Sequence, residues 1–191
     1  DANMTTEQTE EIIDRMSAED TKLMKIDLSG RKEALSSVAP DQIVKALSKL
    51  EYVALNDTQL SSQQNESILA SLTGSRMRSL KMNDNRGLGK VEPHILALAA
   101  ANLEQLDLGN SYSRPMAFLL MSMVEEGTVG LTPLQISAIC TAIMTENTPL
   151  KKFVLGYSKL FSVEANLLAG ALNRLEEVDL CQNFLSLQQA R

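Results

Sequence analysis

The chain of 191 residues has no tryptophan, three tyrosines, four phenylalanines, one histidine and two cysteines. Each shortage excludes something. A core without large rings must be built from thin layers of aliphatic side chains. The lone histidine, His94, follows Pro93 at a predicted helix start. It has no Cys or His companions at zinc spacing and no Ser–His–Asp arrangement around it. Neither G-x-x-x-x-G-K-S/T nor G-x-G-x-x-G occurs, and Arg86-Gly87-Leu88-Gly89 lacks phosphate-loop spacing. Adjacent carboxylates such as Glu125-Glu126 and Glu176-Glu177 point apart and read as charged rim. We therefore expect no enzyme, no metal and no cofactor. The net charge is −6, and the longest basic run is Lys151-Lys152. Binding a phosphate backbone needs a basic face, so no nucleic acid is expected as a partner. No run of about 18 apolar residues is present, so no membrane span is expected. The first residues lack the charged-then-apolar pattern of a leader.

What the chain does have is leucine at fixed spacing. Leu175 to Leu185 reads L-x-x-V-x-L-x-x-N-x-L. Val178 and Leu180 are two apart, so both leave a strand on one face and enter the core. Leu175 and Leu185 close the layer on either side. Asn183 sits at the following turn, where its amide can satisfy backbone groups. The same template fits Leu23-Ile26-Leu28, Leu50-Val53-Leu55-Leu60, Met77-Leu80-Met82-Asn85, Leu103-Leu106-Leu108 and Leu150-Phe153-Leu155-Leu160. Successive openings are 27, 27, 26, 47 and 25 residues apart. Six matches at this spacing identify a leucine-rich repeat. Asn is replaced in the turn position by Arg31, Thr58, Ser111 and Ser158.

The segments between predicted strands alternate. One kind places Val38, Val91 or Val163 twelve residues before the next repeat opens. Pro40 and Pro93 there suit a first helical turn, where a missing N–H costs little. The other kind opens with a capping box: Thr5-x-x-Gln8, Ser61-x-x-Gln64, Thr132-x-x-Gln135 and Ser186-x-x-Gln189. Helically spaced apolar residues follow: Ile12, Ile13 and Met16; Ile68, Leu69 and Leu72; Ile136, Ile139, Cys140 and Ile143. The unit is a double repeat of two strands and two helices.

These features predict an α/β solenoid, a horseshoe with parallel strands on the concave face and helices on the convex face. It forms a single domain of repeats 22–49, 50–76, 77–102, 103–149, 150–174 and a truncated 175–191, led by a helix at 4–21. The chain reads either as a window cut from a longer array or as one capped by the polar face of that helix, with Glu7, Glu10, Glu11, Asp14 and Arg15. The repeat at 103–149 carries an insertion near 113–130, in which Met116, Phe118, Leu119, Leu120, Met121, Met123 and Val124 form an apolar run. Three readings stay open. The insertion fills a gap on the array edge, docks a partner through a methionine-rich surface, or mediates oligomerisation.

Side chains flanking the inward strand positions face solvent. They are Lys25, Asp27 and Ser29; Tyr52, Ala54 and Asn56; Ser79, Lys81 and Asn83; Gln105, Asp107 and Gly109; Lys152, Val154 and Gly156; Glu177, Asp179 and Cys181. The candidate protein-binding residues on this face are Lys25, Asp27, Tyr52, Asn56, Lys81, Asn83, Gln105, Asp107 and Lys152. Tyr52 is the best anchor by residue type. Asn3, Asn56 and Asn65 begin N-x-S/T triplets, which we read as chance.

The alternating text, from Ser36-Ser37-Val38 through Leu50-Glu51-Tyr52-Val53 to Leu60-Ser61-Ser62-Gln63-Gln64, resembles the repeat regions of NOD-like innate immune receptors. Repeats of this ribonuclease-inhibitor-like class are shared by tropomodulin and the Ran GTPase-activating protein. The resemblance implies a protein-interaction scaffold that senses ligand or holds a receptor inactive. A cytoskeletal or small-GTPase regulator is the alternative. Extracellular repeats of this kind resemble one another in having disulfide-bonded caps. Their absence here implies a cytoplasmic location.

Overall fold

The computed structural model describes residues 5–18, 21–109, 130–156, 158–181, 183, 185 and 189. Its centre is a six-stranded parallel sheet in sequential order. The strands are β1 (Lys25–Asp27), β2 (Tyr52–Ala54), β3 (Ser79–Lys81), β4 (Gln105–Asp107), β5 (Lys152–Val154) and β6 (Glu177–Asp179). Each is three residues long and is centred on an apolar residue of the sequence template. In-register partners run Ile26, Val53, Leu80, Leu106, Phe153 and Val178. β4 pairs directly with β5 although 47 residues separate Gln105 from Lys152. The insertion therefore leaves the register untouched.

Helices connect the strands. They are α1 (Thr6–Ser17), α2 (Lys32–Ser36), α3 (Pro40–Leu47), α4 (Ser62–Ala70), α5 (Pro93–Asn102), α6 (Pro133–Ile143) and α7 (Ala165–Leu172). Short 3-10 turns occupy Arg86–Lys90 and Leu160–Ser162. The helices stack in turn: α1 on α3, α3 on α4, α4 on α5, α5 on α6 and α6 on α7. α1 is shorter than the predicted 4–21 because the backbone becomes extended at Ala18. Its outer residues Glu7, Glu10, Glu11, Asp14 and Arg15 are exposed, while Ile13 and Met16 are buried.

One continuous core runs between strands and helices. Leu50, Leu55, Leu80, Met82, Leu103 and Leu155 are fully buried. Each such side chain contributes about 1.5–3 kcal/mol relative to exposure. The end layers depart from expectation. Leu23 and Leu185, predicted to close their layers, are 40% and 44% exposed, and Ile26, Leu175, Val178 and Leu180 are only partly buried. An end layer has a neighbour on one side only, so the same sequence position buries less area there.

Polar side chains join the layers. The capping boxes of α1, α4 and α6 form as predicted, with Gln8, Gln64 and Gln135 each accepting from the N-cap backbone. The free amide group of the glutamine then does a second job. Gln64 Nε2 donates to the carbonyls of Leu35 and Val38, at 2.9 and 2.7 Å. Gln135 donates to Leu88 and Val91, and Gln189 to Leu160 and Val163. Gln8 is exposed. The asparagine positions work similarly. Asn85 Nδ2 donates to Leu55 and Met82, and its Oδ1 accepts from both the backbone and the hydroxyl of Thr58. Asn183 Nδ2 donates to Leu155 and Leu180, and its Oδ1 accepts from the Ser158 backbone. Thr58 and Ser158, read from sequence as departures from the pattern, are thus the partners of the asparagine one repeat later. Arg31 provides no side-chain cap for α2, and Ser111 lies outside the described residues.

Gly87 shows how closely the layers approach. A Cβ there would stand 2.6 Å from Asn65 Nδ2, 2.8 Å from Ser62 N and 2.9 Å from Leu60 O. Two of those neighbours are backbone atoms that cannot swing aside. Asn65 is itself fully buried, so its triplet cannot accept a glycan in the folded chain. Two outcomes follow in urea unfolding. Gln64→Ala should cost about 2–4 kcal/mol, because two buried carbonyls lose their donor, whereas Gln8→Ala should cost about 0.5–1 kcal/mol. Gly87→Ala should cost about 1–3 kcal/mol by overpacking.

Candidate functional site

Each strand sends its central side chain into the core and its two flanking side chains to the opposite, open face. Lys25, Asp27, Tyr52, Lys81 and Gln105 are exposed there, and Asn56, Asn83, Asp107 and Lys152 are half-buried. Tyr52 is 39% exposed. Ser79 is buried and donates to Gln105 Oε1, at 3.3 Å.

Three of the half-buried residues, Asn56, Asn83 and Asp107, belong to a hydrogen-bonded relay that crosses four repeats. Ser29 Oγ accepts from Asn56 N, and Asn56 Oδ1 accepts from Asn83 N at 2.9 Å. Asn83 Nδ2 donates to Asp107 Oδ2 at 3.1 Å, and Asp107 Oδ1 accepts from Gly109 N at 3.2 Å. Asp27 and Asp179 receive the equivalent backbone bonds, from Ser29 and Cys181. A carboxylate at the strand end, two residues before an N–H, fixes the turn locally. Asn56, Asn83 and Asp107 are therefore positioned before anything binds.

Along the lower rim, charges pair between adjacent repeats: Arg78 with Glu104 at 3.7 Å, Lys151 with Glu176 at 2.9 Å, and Lys152 with Glu177. These pairs are largely solvent-exposed, so water and salt screen them and each contributes little to stability. The Glu176 hydrogen bond holds the Lys151 ammonium above its usual range.

The open face dips at its centre into a depression of about 580 Å³. It gathers Lys81, Asn83, Gln105, Asp107 and Lys152 from the sequence-predicted set, and adds Ser79, Gly109, Val154, Gly156, Asp179 and Cys181. Lys25, Asp27, Tyr52 and Asn56 lie outside it. The signal for this depression was two glycines, Gly109 and Gly156, at the same template position of consecutive repeats. Met116, Phe118, Leu120, Met121 and Met123 lie outside the described residues.

The two carboxylates of the relay are tuned in opposite directions. Hydrogen bonds from the Ser29 hydroxyl and backbone hold Asp27 below the usual carboxylate range. Burial pushes Asp107 above it, against the pull of Gly109 N–H, the Asn83 amide, Lys81 and Lys152. Cys140, in the core, has its thiol pushed up to about 11 by burial. Among the described residues no cluster of His, Cys, Asp or Glu could hold a metal, and no helix is long and apolar enough to cross a membrane.

No family model matches the chain, and no curated protein does. Among solved structures it is similar to the tropomodulin C-terminal domain of Caenorhabditis elegans. The identity is 12% and the TM-score 0.44, over 95% of this chain and 86% of that one.

The carboxylates predict a split titration. In carbon-detected NMR, Asp27 should protonate below, and Asp107 above, the unperturbed value of about 3.9. The stability signs follow by linkage. Asp27 contributes stability above its unfolded pKa that is lost as pH falls through its folded value. The Asp107 contribution is present below its unfolded pKa and is lost as pH rises through its folded value.

Proposed function

We propose that this chain is a non-catalytic protein-interaction scaffold of the leucine-rich-repeat class, a horseshoe-shaped solenoid that binds its partner on the sheet face. One observation carries the reading. Side chains from neighbouring strands, Asn83 with Asp107, Ser79 with Gln105 and Lys152 with Glu177, are hydrogen-bonded to each other around a shared depression. Recognition surfaces gain affinity from such preorganisation, because less side-chain freedom is lost on binding. Tyr52, Lys81, Gln105 and Lys152 supply an aromatic and polar contact set at the edge of and within that depression. In its finer form, the reading is a ligand-sensing or autoinhibitory repeat region of an innate-immune-type receptor. Its support is the alternating repeat text between Ser36 and Gln64.

The test is affinity capture with three proteins in parallel: wild type, Tyr52→Ala/Lys81→Glu, and a deletion of residues 114–129. The expected result is a specific partner whose affinity falls at least about tenfold with the double substitution and is kept by the deletion. A partner lost with the deletion alone would move the binding site off the sheet.

A further inference from the structure

The hydrogen-bonded relay of the open face ends in a gap. Gly109 has no side chain, and the point where a Cβ would stand is 3.4 Å from Asp107 Oδ1, 3.6 Å from Asn83 Oδ1 and 3.5 Å from Val154 Cγ1. Two acceptor oxygens and one apolar wall converge on one small space. Gly156, in the next repeat, also lines the depression.

The orientation of Asn83 is dictated by its neighbour. An ionised Asp107 offers only acceptors, so the Asn83 amide must turn its NH2 group toward it. The Asn83 oxygen is left facing the gap. It is shielded from solvent and has no hydrogen-bond partner among the described residues. Buried acceptors are nearly always satisfied, so an orphan beside an open depression marks a place where a donor is wanted. Asp107 Oδ1, which takes one bond from Gly109 N, has capacity for a further donor.

Charge narrows the donor. Lys152 is paired with Glu177. The remaining ionisable carboxylates and amines around the depression are Lys81, Asp107 and Asp179, an excess of one negative charge. Lys81 is exposed, and its flexible stem lets the ammonium swing aside. A guanidinium carries five N–H donors in a fixed fork and a stem of methylenes. Its fork matches two converging oxygens, and its stem matches Val154.

We infer that the space over Gly109 is an anchor pocket for an arginine side chain presented by a protein partner, with Asn83 Oδ1 and Asp107 as its acceptors. This rests on the open face being the recognition surface.

The probe is Nα-acetyl-arginine amide, titrated into the full chain and followed by NMR, with the uncharged isostere Nα-acetyl-citrulline amide beside it. The arginine probe should move the Gly109 backbone and Asn83 side-chain resonances saturably, and at least about fivefold more tightly than citrulline. Gly109→Ala should abolish the effect. The added methyl meets its neighbours at ordinary contact distances, so the variant should fold. Asp107→Asn should also weaken binding at least about fivefold. It removes the charge and lets Asn83 turn its NH2 group into the gap. Equal binding of citrulline, unchanged binding by both variants, or no movement at Gly109 would overturn the assignment. If a captured partner is lost with Tyr52→Ala/Lys81→Glu while the arginine probe leaves Gly109 unmoved, the pocket falls and the recognition face stands. If the probe binds as described but no partner is captured, the pocket stands and the wider reading falls.

Discussion

Where the turns that leave the strands are described, their buried carbonyls accept from side chains of a later layer, and Leu55 accepts from Thr58 of its own repeat as well. A buried carbonyl without a donor costs about 1–3 kcal/mol. The chain meets the constraint with primary amides from the next layer. Asn85 reaches back to Leu55, Asn183 to Leu155, Gln64 to Leu35 and Val38, and Gln135 to Leu88 and Val91. Primary amides suit the task because they donate two bonds and accept two from a short, uncharged group. Leucine packing holds each layer together, the strand ladder sets the distance to the next, and these amides tie the turns of adjacent layers together.

The open face inherits its order from that spacing. Once strands are held at a constant register, side chains at equivalent positions come within hydrogen-bonding distance across repeats. The line from Ser29 through Asn56 and Asn83 to Asp107 exists for this reason. It also explains why Asp107 can be half-buried on a surface that otherwise faces solvent. Where two glycines interrupt the column, the order is kept by the backbone while the space is left free. A site made this way is a gap in a regular lattice, not a separate loop structure.

Local chemistry made much of the architecture legible in the sequence. A strand centre shows as apolar residues at period two, and a capping box shows as Ser or Thr three residues before Gln. Both depend on neighbours a few residues away. What was not legible depends on residues about one repeat apart. Thr58 and Ser158 looked like faults in the asparagine pattern because their partners, Asn85 and Asn183, are 27 and 25 residues distant. The second role of the capping glutamines was hidden for the same reason. Leu23 and Leu185 follow the template yet stay exposed, because a pattern carries no information on whether a layer has two neighbours. At the open face, the polar columns could be read off by counting, but the depression could not. Part of it lies where Gly109 has no side chain, and that space acquires a shape only when Val154, Asp107 and Asn83 are set around it.

The central claim is that amides from one layer hold the backbone of the layer before it. Hydrogen exchange at the Thr58 amide in Asn85→Ala tests this most directly, because that N–H has Asn85 Oδ1 as its acceptor. Protection at Thr58 should collapse and the β2 and β3 amides should lose protection together, since both layers lean on the same side chain. Unchanged protection at Thr58, or loss confined to residues beside position 85, would show that the strand ladder and apolar packing hold the layers without these amides.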